Sequence, residues 1–157
     1  MKQINEIRST WEESEILPSM KASGDEIQRF EEKYGFIIPS DLKSYFLLLN
    51  GTNDSYDNNL FRFYSLDHFL PVREALDNWR GTPNYRQIVN TLKNPEECFV
   101  FSDYSFHLFV YAIRLNKFTL DDNQIYIIQG SNYEVIATSF TQFLSFYLED
   151  DSILASL

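Results

Sequence analysis

The chain has 157 residues with 13 Lys and Arg against 23 Asp and Glu, which gives a formal net charge of −10 and an isoelectric point near 4.5. This acidity excludes a general nucleic-acid binder and a basic membrane-surface helix, because both need clustered cations that neutralise phosphates or anionic lipids. The 44% hydrophobic and 17% aromatic shares exclude a disordered acidic tail, since the chain has ample apolar surface to bury.

The length predicts a single domain spanning residues 1–157. Cys98 is the only cysteine, so no disulfide can form within the chain, as is usual in a reducing compartment. The first residues lack the apolar run of a signal peptide, and no stretch approaches the roughly 18 apolar residues of a membrane span. We therefore expect a cytoplasmic protein.

The N-terminal segment predicts two helices. Pro18 ends the first of them, which presents three apolar side chains on one face, those of Ile4, Ile7 and Trp11. Ser23 and Glu26 have the spacing of a capping box, in which each side chain accepts a hydrogen bond from the other residue's backbone amide. This box predicts the start of a second helix, and Gly35 supplies the left-handed residue that commonly closes one.

A third helix is predicted between Pro39 and Asn50. Proline has its φ angle preset for a first helical turn, and the apolar positions that follow have helical spacing, namely Leu42, Tyr45, Phe46 and Leu49. The short link at residues 35–39 implies that the second and third helices pack as a pair. Gly51 and residues 52–59, which are rich in Asn and Asp, then indicate a surface loop.

The pattern changes in the middle of the chain. Residues 61–63 alternate as a short strand, and the apolar positions between 66 and 79 predict one or two short helical pieces interrupted by Pro71. Residues 85–92 predict a further short helix. These pieces lead into the second half of the chain, where the residue types are those of strands.

The second half predicts a sheet. Four segments are rich in β-branched and aromatic residues, namely 98–101, 107–115, 124–128 and 134–138. Residues 130–132, Gly-Ser-Asn, predict a hairpin turn, so we expect consecutive antiparallel strands. Ser139 and Gln142 repeat the capping-box spacing before a closing helix. The prediction is an α+β domain in which helices at both ends of the chain enclose one sheet.

Candidate catalytic and metal-binding groups are few. With two histidines and one cysteine, the chain offers no cluster of the three or four ligands that zinc requires, so we expect no metal. No Gly-rich phosphate loop is present, and we expect no cofactor. Cys98, Asp103 and His107 come nearest to a nucleophilic set, but Cys98 and His107 are expected on neighbouring strands with nothing to join thiol and imidazole. The favoured interpretation is an inert thiol and a protein that is not an enzyme.

Two runs of sequence are distinctive. Residues 27–51, IQRFEEKYGFIIPSDLKSYFLLLNG, contain a helix ending in Gly, an Ile-Pro step, a Tyr/Phe-rich helix and then Asn-Gly. Residues 124–148, QIYIIQGSNYEVIATSFTQFLSFYL, contain a strand pair and an Ala-x-Ser-Phe-x-x-Phe-Leu helix, at Ala137, Ser139, Phe140, Phe143 and Leu144. Together the two runs resemble the SUKH superfamily. In residues 101–106, where many relatives are rich in Gly and Asp, this chain is aromatic and has no glycine.

The resemblance implies an α+β fold in which helices pack around a mixed, mostly antiparallel sheet. Bacterial members of the superfamily are best known as immunity proteins that bind and neutralise toxin domains, often nucleases, whereas fungal members resemble regulatory scaffolds. Neither role is enzymatic. An acidic inhibitor of a basic nuclease makes electrostatic sense, so we expect an immunity-type protein with a cognate toxin domain as its partner. The alternative is a regulatory or scaffold interaction module without a toxin partner.

The expected partner-binding region combines the polar loop 53–59 with the segment around residue 103. Exposed Asp and Tyr side chains together provide electrostatic steering and aromatic anchoring. The candidate residues are Asp54, Tyr56, Asp57, Asp103 and Tyr104. Direct contact with nucleic acid or a membrane is not expected.

Overall fold

The structure is a computed structural model that describes residues 2–157, and its N-terminal part is helical. The first three helices are α1 (Lys2–Glu13), α2 (Gly24–Tyr34) and α3 (Ser40–Leu48). The predicted capping box between Ser23 and Glu26 is present, and Gly35 closes α2 with a φ of 74°. Helix α1 ends earlier than predicted, because Glu15 already has a left-handed φ of 58° and turns the chain before Pro18.

Asn50 joins the end of α3 to two neighbouring segments. Its backbone N–H donates to Tyr45 O at 3.0 Å, as a C-terminal cap would. Its side-chain amide donates to Met20 O at 2.7 Å and accepts from Leu66 N at 2.8 Å. The single buried amide therefore satisfies backbone groups of the segments before α2 and after the first strand.

A six-stranded sheet follows. Its strands are β1 (Phe61–Phe63), β2 (Leu70–Pro71), β3 (Cys98–Tyr104), β4 (Phe109–Arg114), β5 (Ile125–Gln129) and β6 (Asn132–Ala137). The order is β1-β3-β4-β5-β6, and β2 also pairs with β3. The α+β fold is confirmed. The resemblance had implied a mixed, mostly antiparallel sheet. Within residues 2–157, however, every strand pairing is antiparallel.

The larger core lies between one face of the sheet and α1, α2, α3 and the closing helix α6 (Phe140–Leu148). Aromatic rings dominate it: the ring centroid of Phe99 on β3 lies 5.3 Å from that of Phe30 on α2, and that of Phe101 lies 4.8 Å from Phe143 on α6. Each fully buried ring contributes roughly 1.5–3 kcal/mol. The periodic aromatic positions of the sequence therefore serve mainly to hold the helices on the sheet.

The segment between β2 and β3 covers the opposite face of the sheet. It contains α4 (Val72–Leu76), α5 (Ile88–Thr91) and the loop between them. Five of its side chains pack against the alternate residues of β3, β4 and β5, namely Val72, Leu76, Tyr85, Ile88 and Leu92. Successive strand residues point to opposite faces, so burial of both faces explains why these strands are apolar almost throughout.

The turn between β3 and β4 differs from the prediction. Strand β3 continues to Tyr104 and β4 begins at Phe109, because Ser105, Phe106 and His107 all have positive φ, of 48°, 54° and 66°. Residues with a Cβ rarely adopt the left-handed region of positive φ. The residue types at these positions therefore do not predict the turn. The prediction that His107 lies on a strand was wrong.

No helix within residues 2–157 is both long and apolar enough to cross a membrane.

Candidate functional site

A buried carboxylate on β3 organises the polar residues around it. Asp103 has 0% exposed surface. It accepts hydrogen bonds from the Tyr56 hydroxyl at 2.6 Å, Arg62 Nε at 2.9 Å, the Tyr64 hydroxyl at 2.9 Å and the His107 backbone N–H at 3.0 Å. A buried ion requires such donors, because burial removes its hydration. We call these five residues the Asp103 cluster.

The Asp103 cluster keeps its carboxylate ionised. Burial acts to raise the pKa of Asp103, but the His107 side chain, the Tyr56 hydroxyl and the Arg62 charge outweigh it and lower the pKa to about 2. Burial, with the neighbouring carboxylate, raises the pKa of the Tyr56 and Tyr64 hydroxyls, so both remain protonated donors. Arg62 also lies over both tyrosine rings, 4.9 and 5.5 Å from their centroids.

His107 is held between this carboxylate and an indole ring. Its ring is parallel to that of Trp79 within 7°, with the two centroids 4.4 Å apart. Its carbonyl oxygen accepts the Tyr85 hydroxyl at 2.6 Å, and its Nδ1 lies 3.4 Å from Asp103 Oδ2, a separation at which protonation would create an ion pair. The segment that covers the second face of the sheet thus also fixes the β3–β4 turn.

A groove of about 470 Å³ opens beside the cluster. Asp54, Asp67 and Glu74, from three separate segments, line it together with Arg62. Arg62 is already paired with Asp54 at 3.1 Å and with Asp103, whereas Asp67 and Glu74 take part in no ion pair with any residue from 2 to 157. Carboxylates that have no ion-pair partner favour the binding of a positively charged group.

One of the five predicted partner-binding residues lines the groove, and a second contacts Arg62 in the groove wall. Asp54 has an 89% exposed side chain and lines the groove, and Tyr56 is half-buried between Arg62 and the surface. Asp103 lies beneath them, so the prediction that its carboxylate is exposed was wrong. It supports the loop from below and does not offer a charge to solvent.

Asp57 and Tyr104 lie elsewhere. Asp57 is buried, contrary to the expectation of an exposed carboxylate, and accepts the backbone N–H groups of Asn59 at 2.8 Å and Phe61 at 3.0 Å. It also accepts the hydroxyl of Tyr147 on α6. Tyr104 points to the larger core, where its ring centroid lies 5.1 Å from that of Phe61. Both residues stabilise the fold.

Sequence reasoning missed Phe106, Arg62 and Trp79. Phe106 is 66% exposed, and its ring centroid lies 4.5 Å from that of Tyr56. Its aromatic neighbours in residues 99–111 are mostly core residues, so residue type alone did not distinguish it. Arg62 gave a signal, since it is a cation between two aromatic residues of a short strand.

The suspected nucleophilic set is not assembled. Asp103 and His107 come together, but Cys98 begins β3 while His107 follows its far end, about 20 Å away at the usual rise per strand residue. Cys98 is buried, and burial raises the pKa of its thiol to about 12. In the part of the chain that the structure describes, no group of three His, Cys, Asp or Glu residues is placed to hold a metal ion.

Residues 21–145 match the model of the SMI1 / KNR4 family (SUKH-1). The chain belongs to this family. The match confirms the resemblance to the SUKH superfamily and includes the Asp103 cluster, most of the groove and most of α6. No curated protein matches the chain. Helix α1 lies outside the matched range, yet in this SUKH-1 protein it buries Ile4, Ile7 and Trp11 in the larger core.

Proposed function

We propose that this SUKH-1 protein is a cytoplasmic immunity-type protein that binds a basic, nuclease-like toxin domain and neutralises it without catalysis. Membership of the family supports a protein-binding role. The net charge of −10 supports a basic partner, because complementary charge raises the association rate and disfavours acidic competitors.

The groove carries the proposal. Among residues 2–157, Asp67 and Glu74 face the groove without an ion-pair partner, and Asp54 shares its ion-pair partner, Arg62, with Asp103. A Lys or Arg side chain from a partner would complete these pairs. The size of the groove, about 470 Å³, accommodates a side chain or a small part of a loop.

The proposal of a non-catalytic role rests on how the polar groups are used. Asp103 accepts four hydrogen bonds and has a pKa of about 2, so it is a poor base near neutral pH. Cys98 lies far from His107, and its raised pKa leaves it as an unreactive thiol. These groups support the surface and do not form a reaction centre.

The alternative is a regulatory or scaffold module that uses the same surface for a partner other than a toxin. The family match supports this alternative as well. Gene neighbourhood distinguishes the two roles, because an immunity gene lies beside the gene of a large secreted toxin.

Co-expression tests the proposal. The chain is produced together with the toxic C-terminal domain encoded immediately upstream, and an unrelated acidic protein of similar size and charge serves as the control. We expect this chain, but not the control protein, to rescue growth and to elute with the toxin domain as a stoichiometric complex. Absence of both rescue and complex would remove the immunity role and leave the scaffold alternative.

A further inference from the structure

The β3–β4 turn holds three consecutive non-glycine residues in the left-handed region. Their φ angles are 48° for Ser105, 54° for Phe106 and 66° for His107. A Cβ makes this region unfavourable, and residues forced into it cluster at binding and catalytic sites. A turn of glycine or asparagine would avoid the strain, so the choice of Phe at its centre requires an explanation.

Buried groups hold the turn in place from below. Asp103 accepts the His107 N–H at 3.0 Å, the Tyr85 hydroxyl donates to the His107 carbonyl at 2.6 Å, and Trp79 stacks on the imidazole. On the other side, Ser105 N–H donates to the carbonyl of Leu60 at 2.8 Å. Contacts from three segments of the chain therefore converge on a turn of four residues.

This rigid turn displays an aromatic side chain to solvent. Phe106 is 66% exposed, and its ring contact in the described chain is with Tyr56 at 4.5 Å. Tyr56 in turn lies against Arg62, a wall of the groove. The Phe106 side chain belongs to neither apolar core, so the strained turn is not explained by core packing. Aromatic side chains on rigid supports are typical anchors of protein interfaces.

We infer that Phe106, supported by Tyr56, is the apolar anchor of the partner interface and inserts into an apolar pocket of a basic protein. The partner's cationic side chain then enters the adjacent groove at Asp67 and Glu74. This inference rests on the proposed function and specifies its contact. A second copy of the chain is a poor occupant, because two chains of charge −10 repel each other.

Two substitutions at Phe106 separate anchoring from folding. Phe106→Ala removes the ring, and Phe106→Gly removes it while also relieving the left-handed strain. Phe118→Ala is the matched control, since Phe118 is 74% exposed in the loop at the opposite end of β4. The probe is the toxin domain encoded upstream, purified in an inactive form, with Kd measured by calorimetry and Tm measured on the free variants.

We expect both Phe106 variants to weaken binding by roughly 30-fold or more, as at an interface hot spot, and Phe118→Ala to stay within about threefold. Phe106→Gly should keep or raise the Tm, because glycine adopts the turn without strain. Unchanged binding by the Phe106 variants overturns the anchor and leaves the immunity role intact. A lowered Tm in Phe106→Gly assigns the ring to folding and also overturns the anchor. Failure of the unaltered protein to bind overturns both proposals.

Discussion

The hydroxyl of Tyr56 donates a 2.6 Å hydrogen bond to the buried carboxylate of Asp103, which lies 47 positions further along the chain. This bond fixes a surface loop, residues 52–59, whose Asn- and Asp-rich composition by itself would leave it mobile. An ordered loop loses less conformational entropy when a partner binds. A buried charge thus orders an exposed surface loop.

Asp103→Asn should lower the free energy of unfolding by about 3 kcal/mol. The substitution removes the charge that balances the half-buried Arg62 guanidinium and weakens four hydrogen bonds at once. Urea denaturation followed by circular dichroism measures the change. Asp121→Asn, in the exposed loop after β4, is the control and should stay within about 0.5 kcal/mol. Equal effects at the two sites would contradict the role of the cluster.

The stability of the protein should fall in acid partly through Asp103. Its pKa is about 2 in the folded chain against 3.8 for a free side chain, so the unfolded state takes up the proton first as pH falls. The stabilisation is fully present above about pH 5 and is lost towards pH 2, and it amounts to about 2 kcal/mol. Urea titrations across this range should show a shallower pH dependence in Asp103→Asn. The same slope in both proteins would exclude Asp103 as the source.

Tyr147→Phe should destabilise the fold by about 2 kcal/mol without changing affinity for a partner. The hydroxyl donates to Oδ2 of buried Asp57 and accepts from Trp11 Nε1 at 3.0 Å, so its removal takes away the acceptor of the buried indole N–H and one of the three donors to Asp57. Tyr133→Phe on the exposed edge strand β6 is the matched control. Urea denaturation and calorimetry with the toxin domain measure the two effects. A loss of affinity in a folded Tyr147→Phe variant would indicate that Asp57, which accepts the Tyr147 hydroxyl, belongs to the partner interface as the sequence had predicted.

The double variant Asp67→Asn with Glu74→Gln should slow association with a basic toxin domain several-fold at low salt. These carboxylates line the groove and form no ion pair within the described part of the chain, and surface charges act mainly on the association rate. Asp121→Asn with Asp122→Asn removes the same charge from the loop after β4 and should have a smaller effect. Stopped-flow measurements at low and high salt compare them, and an identical loss of rate in the two variants would indicate net charge alone.

Cys98 should be inert to iodoacetamide in the folded protein and should react only on unfolding. It is buried, and burial raises the pKa of its thiol to about 12, so almost no thiolate is present at pH 8. Mass spectrometry of labelled native and urea-treated protein measures this. The Cys98→Ala variant should still neutralise the toxin. A folded Cys98→Ala variant that failed to do so would support the hypothesis that Cys98 is a catalytic nucleophile.

Features that depend on neighbouring residues could be predicted from the sequence. The capping box of Ser23 and Glu26, the cap at Gly35 and the hairpin between Gln129 and Asn132 are confirmed. Each depends on residues within one turn of helix or one hairpin, where spacing and residue type determine the hydrogen bonds. The same holds for the apolar stripes that became the larger core.

The sequence by itself determined an acidic α+β domain and the family that it resembles, because composition, periodicity and local motifs are properties of neighbouring residues. Only the tertiary structure decided that Asp103 is buried, that residues 72–92 cover the second face of the sheet, and that Phe106 is displayed on a strained turn. The donors that make a buried Asp103 tolerable come from Tyr56, Arg62 and Tyr64, some 40 positions earlier. A charge is exposed or buried according to such distant partners, and local pattern does not contain them.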